Sequence, residues 1–239
     1  MILNDNLKMV NNAEVKKSDL SFWQKVKNVL TNINEHYIKF PAYILAHPIK
    51  GFDDFKRESK GKMQVSIVFL ILLMILQILK FQFSGFVVNQ NDPNDLNTAR
   101  EIGLVIFPII LFTVSNWSVT TLFDGKGKMR EIFMMLCYAL YPLIIVNIFG
   151  IIFSNIITLD EVGFYNLLLG LGAFLTGYMI FFGLVSIHEY GVLKCIGSII
   201  GTAVAILVIL FILLLAFDLF QQVYSFIYTI YREISLRYL

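Results

Sequence analysis

Five stretches of this chain, at about residues 63–83, 102–123, 132–157, 164–187 and 197–217, run for some twenty residues with scarcely a charge. A helix of that length rises about 30 Å, the thickness of the hydrocarbon core of a bilayer. The fold class that follows is all-α: a polytopic membrane protein with five transmembrane helices. A β-barrel would alternate apolar and polar residues over short strands, whereas these runs are continuous. Composition agrees, with 57% hydrophobic and only 15% charged residues, far from the balance of a soluble domain. None of the runs lies at the extreme N-terminus, so no cleavable signal peptide is expected and the first span should act as its own insertion signal.

Positive charge is distributed unevenly between the connections. Residues 1–62 carry eleven of the nineteen Lys and Arg, residues 124–131 carry Lys126, Lys128 and Arg130, and the connection at 188–196 carries Lys194. The remaining connections hold only Arg100 between them. Because Lys and Arg collect in the cytoplasm, five spans with the N-terminus inside and the C-terminus outside satisfy every loop. Lys80 lies near the outer end of the first span, where its stem can snorkel to the interface. The net charge of +2 gives no reason to expect a nucleic-acid partner.

Outside the membrane domain at 63–217, residues 1–17 are polar and aperiodic and read as a flexible cytoplasmic tail. Residues 18–62 read as amphipathic helices on the cytoplasmic face. Ser21 and Gln24 suggest a capping box, and Phe22, Val26, Val29 or Leu30, Ile33 and Tyr37 recur at helical spacing up to Pro41. Phe52 and Phe55 suggest a second short interfacial helix before Gly61. Residues 218–239 keep an apolar face, which predicts either an interfacial helix on the outer face or a continuation of the fifth span.

The motifs that could carry chemistry are incomplete. NWSVTTLFDGKGKMRE, at 116–131, has two glycines beside lysines but lacks the glycine spacing of a phosphate loop, and Asp124 lacks the further oxygens that calcium needs. His188-Glu189 begins like a zinc-protease motif, but Val192 stands where the second histidine belongs. Cys137 lies inside the third apolar run and Cys195 at the head of the fifth, neither with metal-ligand spacing, and no GxSxG occurs. No enzyme, cofactor or metal site is predicted. The turn reads as an orientation lock, with Gly125 and Gly127 supplying positive backbone angles, Asp124 bonding to backbone two residues on, and Lys126, Lys128 and Arg130 beside anionic lipid.

Asn116 lies eight residues before Asp124, about 12 Å along the helix and inside the hydrocarbon, so its amide requires partners in the bundle. Thr113, Ser115, Asn147 and Asn155 are candidates, and a polar path near Asn116, Asn147 and Pro142 is the alternative reading. Pro142 should kink the third span. Ala173 and Gly177 in the fourth span, and Gly197, Gly201 and Ala205 in the fifth, are small residues four apart, which predicts a close pairing of these two helices or a homodimer through the same faces.

The HPIKGFDDFKRESKG lead-in, the NWSVTTLFDGKGKMREIF junction, the CYALYPLII third span and the HEYG turn together resemble the Yip-domain family of five-span membrane proteins, named for its Ypt/Rab-interacting members. The resemblance covers residues 41–217 and is most specific from Asn116 to Pro142. Asn116, Trp117, Asp124, Gly125, Gly127, Tyr141 and Pro142 fall at its motif positions. It implies a non-enzymatic integral membrane protein acting through protein partners: small GTPases of vesicle traffic in eukaryotes, and an accessory part beside transporters in bacteria. The short lysine-rich N-terminal region departs from the long acidic one of many eukaryotic members, which puts GTPase recruitment in doubt. An Asn, Lys, Ile and Phe bias points to an AT-rich bacterial genome and a plasma membrane; a eukaryotic chain would belong to an endomembrane. The expectation is a scaffold or accessory subunit in contact with lipid and a membrane-protein partner, with the cytoplasmic N-terminal helix and the Asp124–Glu131 turn, through Lys126, Lys128 and Arg130, as its contact surface; a small transporter or channel subunit is the alternative.

Overall fold

The computed structural model describes residues 27, 30–89, 91, 92 and 95–238. The expected tail at 1–17, the capping box at Ser21 and Gln24, and Phe22, Val26 and Val29 lie outside the described residues. Five helices are long and apolar enough to cross a membrane, and the described residues contain no strand.

A π-helical stretch, Asn34–Lys39, leads into α1 (Phe40–Ala46) and α2 (Pro48–Arg57), which pack at one end of the bundle. Then come α3 (Met63–Phe83) and α4 (Thr98–Leu122). The third span is divided into α5 (Met129–Ala139) and α6 (Tyr141–Ser154), followed by α7 (Val162–His188) and α8 (Val192–Tyr238). The division falls at Leu140, two residues before buried Pro142, whose missing amide hydrogen cannot continue the ladder. α4 begins four residues earlier than its apolar run because the Asn97 side chain caps it, accepting from the Arg100 amide at 3.1 Å. Arg100 and Glu101 therefore belong to the helix.

Tyr138 organises the core at the α2 end. Fully buried, it meets the rings of Phe40, Phe55 and Phe69 edge-on at 6.1, 5.0 and 5.6 Å, and its hydroxyl accepts from the Lys62 amide at 3.3 Å. Edge-on rings place positive edges on negative faces, which adds to the burial of their area. The lead-in is thus built into the bundle: Phe52 and Phe55 of α2 are buried there and do not face lipid.

The expected pairing of the fourth and fifth spans is corrected. The buried stripe of α7 runs through Gly172, Thr176, Met179, Gly183 and Ile187, one position away from Ala173 and Gly177, which are exposed. A Cβ at Gly172 would stand 2.9 Å from Val146 of α6, and one at Gly183 would stand 2.6 Å from Met135 of α5, whereas one at Gly177 would meet nothing. α8 packs chiefly on α4: a Cβ at Gly201 would lie 2.9 Å from Val119, while one at Gly197 would meet nothing, and Ala205 is half-buried. Small residues four apart mark a face but not its direction, and here the glycines with close neighbours on α7 are eleven apart, about three turns.

α8 is 47 residues long, about 70 Å, so residues 218–238 continue the fifth span as one helix. From 211 to 237 almost every residue is exposed.

Candidate functional site

Four of the motif residues, Asn116, Asp124, Gly125 and Gly127, lie near the end of the bundle where α4 stops, α7 turns into α8, and α2 lies across. Asn116 is wholly buried. Its amide nitrogen donates to Thr202 Oγ1 of α8 at 3.0 Å, and its carbonyl oxygen accepts from His188 Nε2, the last residue of α7, at 3.1 Å. The other ring nitrogen of His188, Nδ1, accepts the Gly127 amide hydrogen at 3.3 Å. A nitrogen that accepts from an N–H carries no proton, so these two bonds together specify the neutral imidazole with its hydrogen on Nε2. Tyr190 stacks on His188 at 5.1 Å and donates to the Thr120 carbonyl at 3.4 Å, while Lys194 lies over the Tyr190 ring at 5.1 Å. One network thus fastens α4, α7, α8 and the turn.

Both turn glycines are required by proximity. A Cβ on Gly125 would stand 2.5 Å from the Tyr190 hydroxyl and 2.8 Å from His188 Nδ1, and one on Gly127 would stand 2.6 Å from Ile187 and 2.7 Å from His188. The expectation of positive φ at these glycines is corrected: neither has it, and Asp124 takes the left-handed conformation at φ 54°. Asp residues tolerate that region better than most side chains. The Asp124 carboxylate makes no hydrogen bond to the backbone two residues on.

Glu189, also left-handed at φ 56°, ends α7 and serves as a clamp. Its carboxylate accepts from Lys126 at 2.6 Å and from Lys56 of α2 at 3.1 Å, and Lys56 donates as well to the Ile187 carbonyl at 2.7 Å. The two ammonium groups, Lys126 foremost, hold the Glu189 carboxyl down to about 2 from its ordinary 4.5. A depressed carboxyl contributes stability that is full above its unfolded pKa and is lost as pH falls through the folded one. Glu189→Gln is therefore expected to melt below wild type at pH 7, and the difference between the two thermal midpoints should shrink as pH is lowered from about 4.5 to about 2. A difference unchanged across that window would mean that the clamp is not electrostatic.

Of the three turn cations, Lys126 is thus engaged internally. Lys128 and Arg130 are exposed and form no ion pair among the described residues. Arg130 borders a groove of about 390 Å³ lined by Met63, Ile110, Thr113, Met129 and Phe133. The remaining motif positions lie apart from this network. Trp117 is 44% exposed on the outer face of α4, and Tyr141 and Pro142 sit at the α5–α6 break, with Tyr141 5.6 Å from Phe69. Asn147, half-buried on α6, makes no hydrogen bond with Asn116. The partners expected for Asn116 are corrected in turn: Thr113 donates to its own helix at Ile109, and Asn155 donates to the Phe83 and Ile151 carbonyls. Sequence reasoning missed His188 and Thr202. His188 closes α7 and Thr202 lies ten residues into α8, and nothing local in the sequence ties either to Asn116.

Among the described residues, no group of three or more His, Cys, Asp or Glu could hold a metal ion. Five apolar helices joined by short connections, with their polar residues tied to one another, define a polytopic α-helical membrane protein. The model of one family, described as the Yip1 domain, matches residues 42–217, and the chain belongs to that family. No curated protein and no solved structure matches it.

Proposed function

We propose that this protein is a non-enzymatic membrane scaffold or accessory subunit, which recruits a membrane-protein partner through the exposed edge of the Asp124–Glu131 turn. The observation that carries this reading is the division of labour among the turn cations. Lys126 is neutralised by Glu189, whereas Lys128 and Arg130 form no ion pair among the described residues, and Arg130 borders an apolar groove at the end of the bundle. An apolar helix with an acidic residue near its end is complementary to such a surface, and charge complementarity supplies specificity and rate of encounter. A transporter is one partner of this kind. The lysine asymmetry of the sequence supports an orientation with this turn in the cytoplasm and the C-terminus outside, and the Asn, Lys, Ile and Phe bias supports a plasma membrane. The alternative, a small transporter or channel subunit, needs Asn116 and Asn147 on one polar path, and the Asn116 amide is used by His188 and Thr202.

Site-specific photocrosslinking from position 128 in native membranes tests the reading. The expected result is one discrete adduct with an integral membrane protein, lost in 1 M salt, and no solute flux when the purified protein is placed alone in liposomes. Flux without an adduct would replace the scaffold with a transporter.

A further inference from the structure

At the opposite end of the bundle, a pocket of about 300 Å³ opens between the last turn of α3 and the first turns of α4 and α7. Its wall contains three charged side chains: Lys80, Arg100 and Glu101. Glu101 is only 4% exposed. Its Oε2 accepts from Gln77 at 2.9 Å, and no cation among the described residues stands within ion-pair distance of it. Lys80 and Arg100 likewise form no ion pair there. A fourth wall residue, Ser84, has a buried hydroxyl with no hydrogen-bond partner among the described residues.

A carboxylate withdrawn from water is normally paired, and a buried hydroxyl is normally bonded. Among the described residues, one cavity thus holds a carboxylate without a cation, two cations without an anion, and a hydroxyl without a partner. The three charges line one pocket, yet no two of them stand within ion-pair distance. A ligand that carried a positive group to Glu101 and a negative group to Lys80 and Arg100 would satisfy all of them at once. We propose that this pocket binds a zwitterion of the phosphoethanolamine type, its ammonium on Glu101 and its phosphate on Lys80, Arg100 and the Ser84 hydroxyl. Phosphate suits the anionic half because it accepts from several donors at once, as one Arg, one Lys and one hydroxyl require. The pocket lies at the ends of three helices long and apolar enough to cross a bilayer, and headgroups stand at the ends of such helices. The same chemistry is carried by phosphatidylethanolamine and by a free phosphoethanolamine ester.

The test uses full-length protein stripped of lipid in detergent and the same protein in nanodiscs. O-phosphoethanolamine is titrated against the detergent sample by thermal shift, and lipid retained from nanodiscs of mixed phosphatidylethanolamine and phosphatidylcholine is read by native mass spectrometry. A lipid source gives selective retention of phosphatidylethanolamine, whose ammonium can donate to Glu101 where the quaternary one cannot. A free source gives a saturable thermal shift without lipid enrichment. Glu101→Gln, which keeps an acceptor for Gln77, is expected to weaken either signal at least tenfold. Arg100→Gln, at an exposed position, should weaken it several-fold with the unliganded melting point unchanged. The proposal is overturned if neither source binds, if Glu101→Gln binds as well as wild type, or if inorganic phosphate alone competes fully and identically in both proteins, which would mark an anion site only.

Discussion

Asn116→Leu is expected to lower the folding stability of this protein by about 1–3 kcal/mol and to cut its folded yield, with the loss insensitive to salt. The side chain is wholly buried and joins three helices through two hydrogen bonds. Leucine would leave the His188 Nε2 hydrogen without an acceptor in a region that excludes water, and the cost of an unmatched buried donor exceeds the net worth of the bond itself. Thr202→Val should be milder, because it leaves one Asn116 amide hydrogen unmatched but keeps the Asn116–His188 bond, whereas Asn116→Leu removes both bonds. The order of destabilisation, Asn116→Leu greater than Thr202→Val, is read from thermal midpoints in detergent. Equal effects would show that His188 does not depend on the Asn116 carbonyl. High salt separates this network from the Glu189 clamp, since screening acts on exposed ions and hardly on a buried neutral pair.

Much of this architecture was legible because the bilayer imposes a length that the sequence cannot conceal. Each apolar run became a helix, and Pro142 divided the third span for a reason local to its own ring. The charged residues at the ends were less legible. Arg100 and Glu101 mark the edge of the apolar run, yet Asn97 caps α4 before them and draws Glu101 into a buried position. Likewise, hydropathy falls at Asp218, while the helix, whose hydrogen bonds depend little on hydropathy, continues to Tyr238.

The candidate site was half visible. Asn116 demanded partners on physical grounds, but His188 and Thr202 lie 72 and 86 residues away, and no local rule measures that distance. Gly125 and Gly127 were recognised as special, though for the wrong reason. Their constraint is a histidine, a tyrosine and an isoleucine packed against the turn, a tertiary fact, while the left-handed residue is Asp124. The phase of the small-residue stripe on α7 failed in the same way: spacing identifies a face, and only the neighbouring helices decide which face is buried. Lys126 could not be distinguished from Lys128 and Arg130 until Glu189 was brought beside it.

That last distinction yields the second large effect. Lys128→Gln with Arg130→Gln removes the two turn cations that form no ion pair among the described residues and leaves the Lys126–Glu189–Lys56 clamp intact. The eleven positive residues before the first span should preserve orientation. Recovery of the membrane partner is expected to fall at least tenfold, about 1.4 kcal/mol of association, and the wild-type complex should weaken in the same way as salt is raised. Lys126→Gln alone should act differently, loosening the clamp and lowering the melting point. The decisive measurement is quantitative co-purification in mild detergent of wild type and the Lys128→Gln/Arg130→Gln variant, each with its melting point and its orientation recorded. A variant that is folded, correctly oriented and depleted of partner is the predicted result; one that recovers the same partner at wild-type yield would contradict the assignment of this turn as the contact surface.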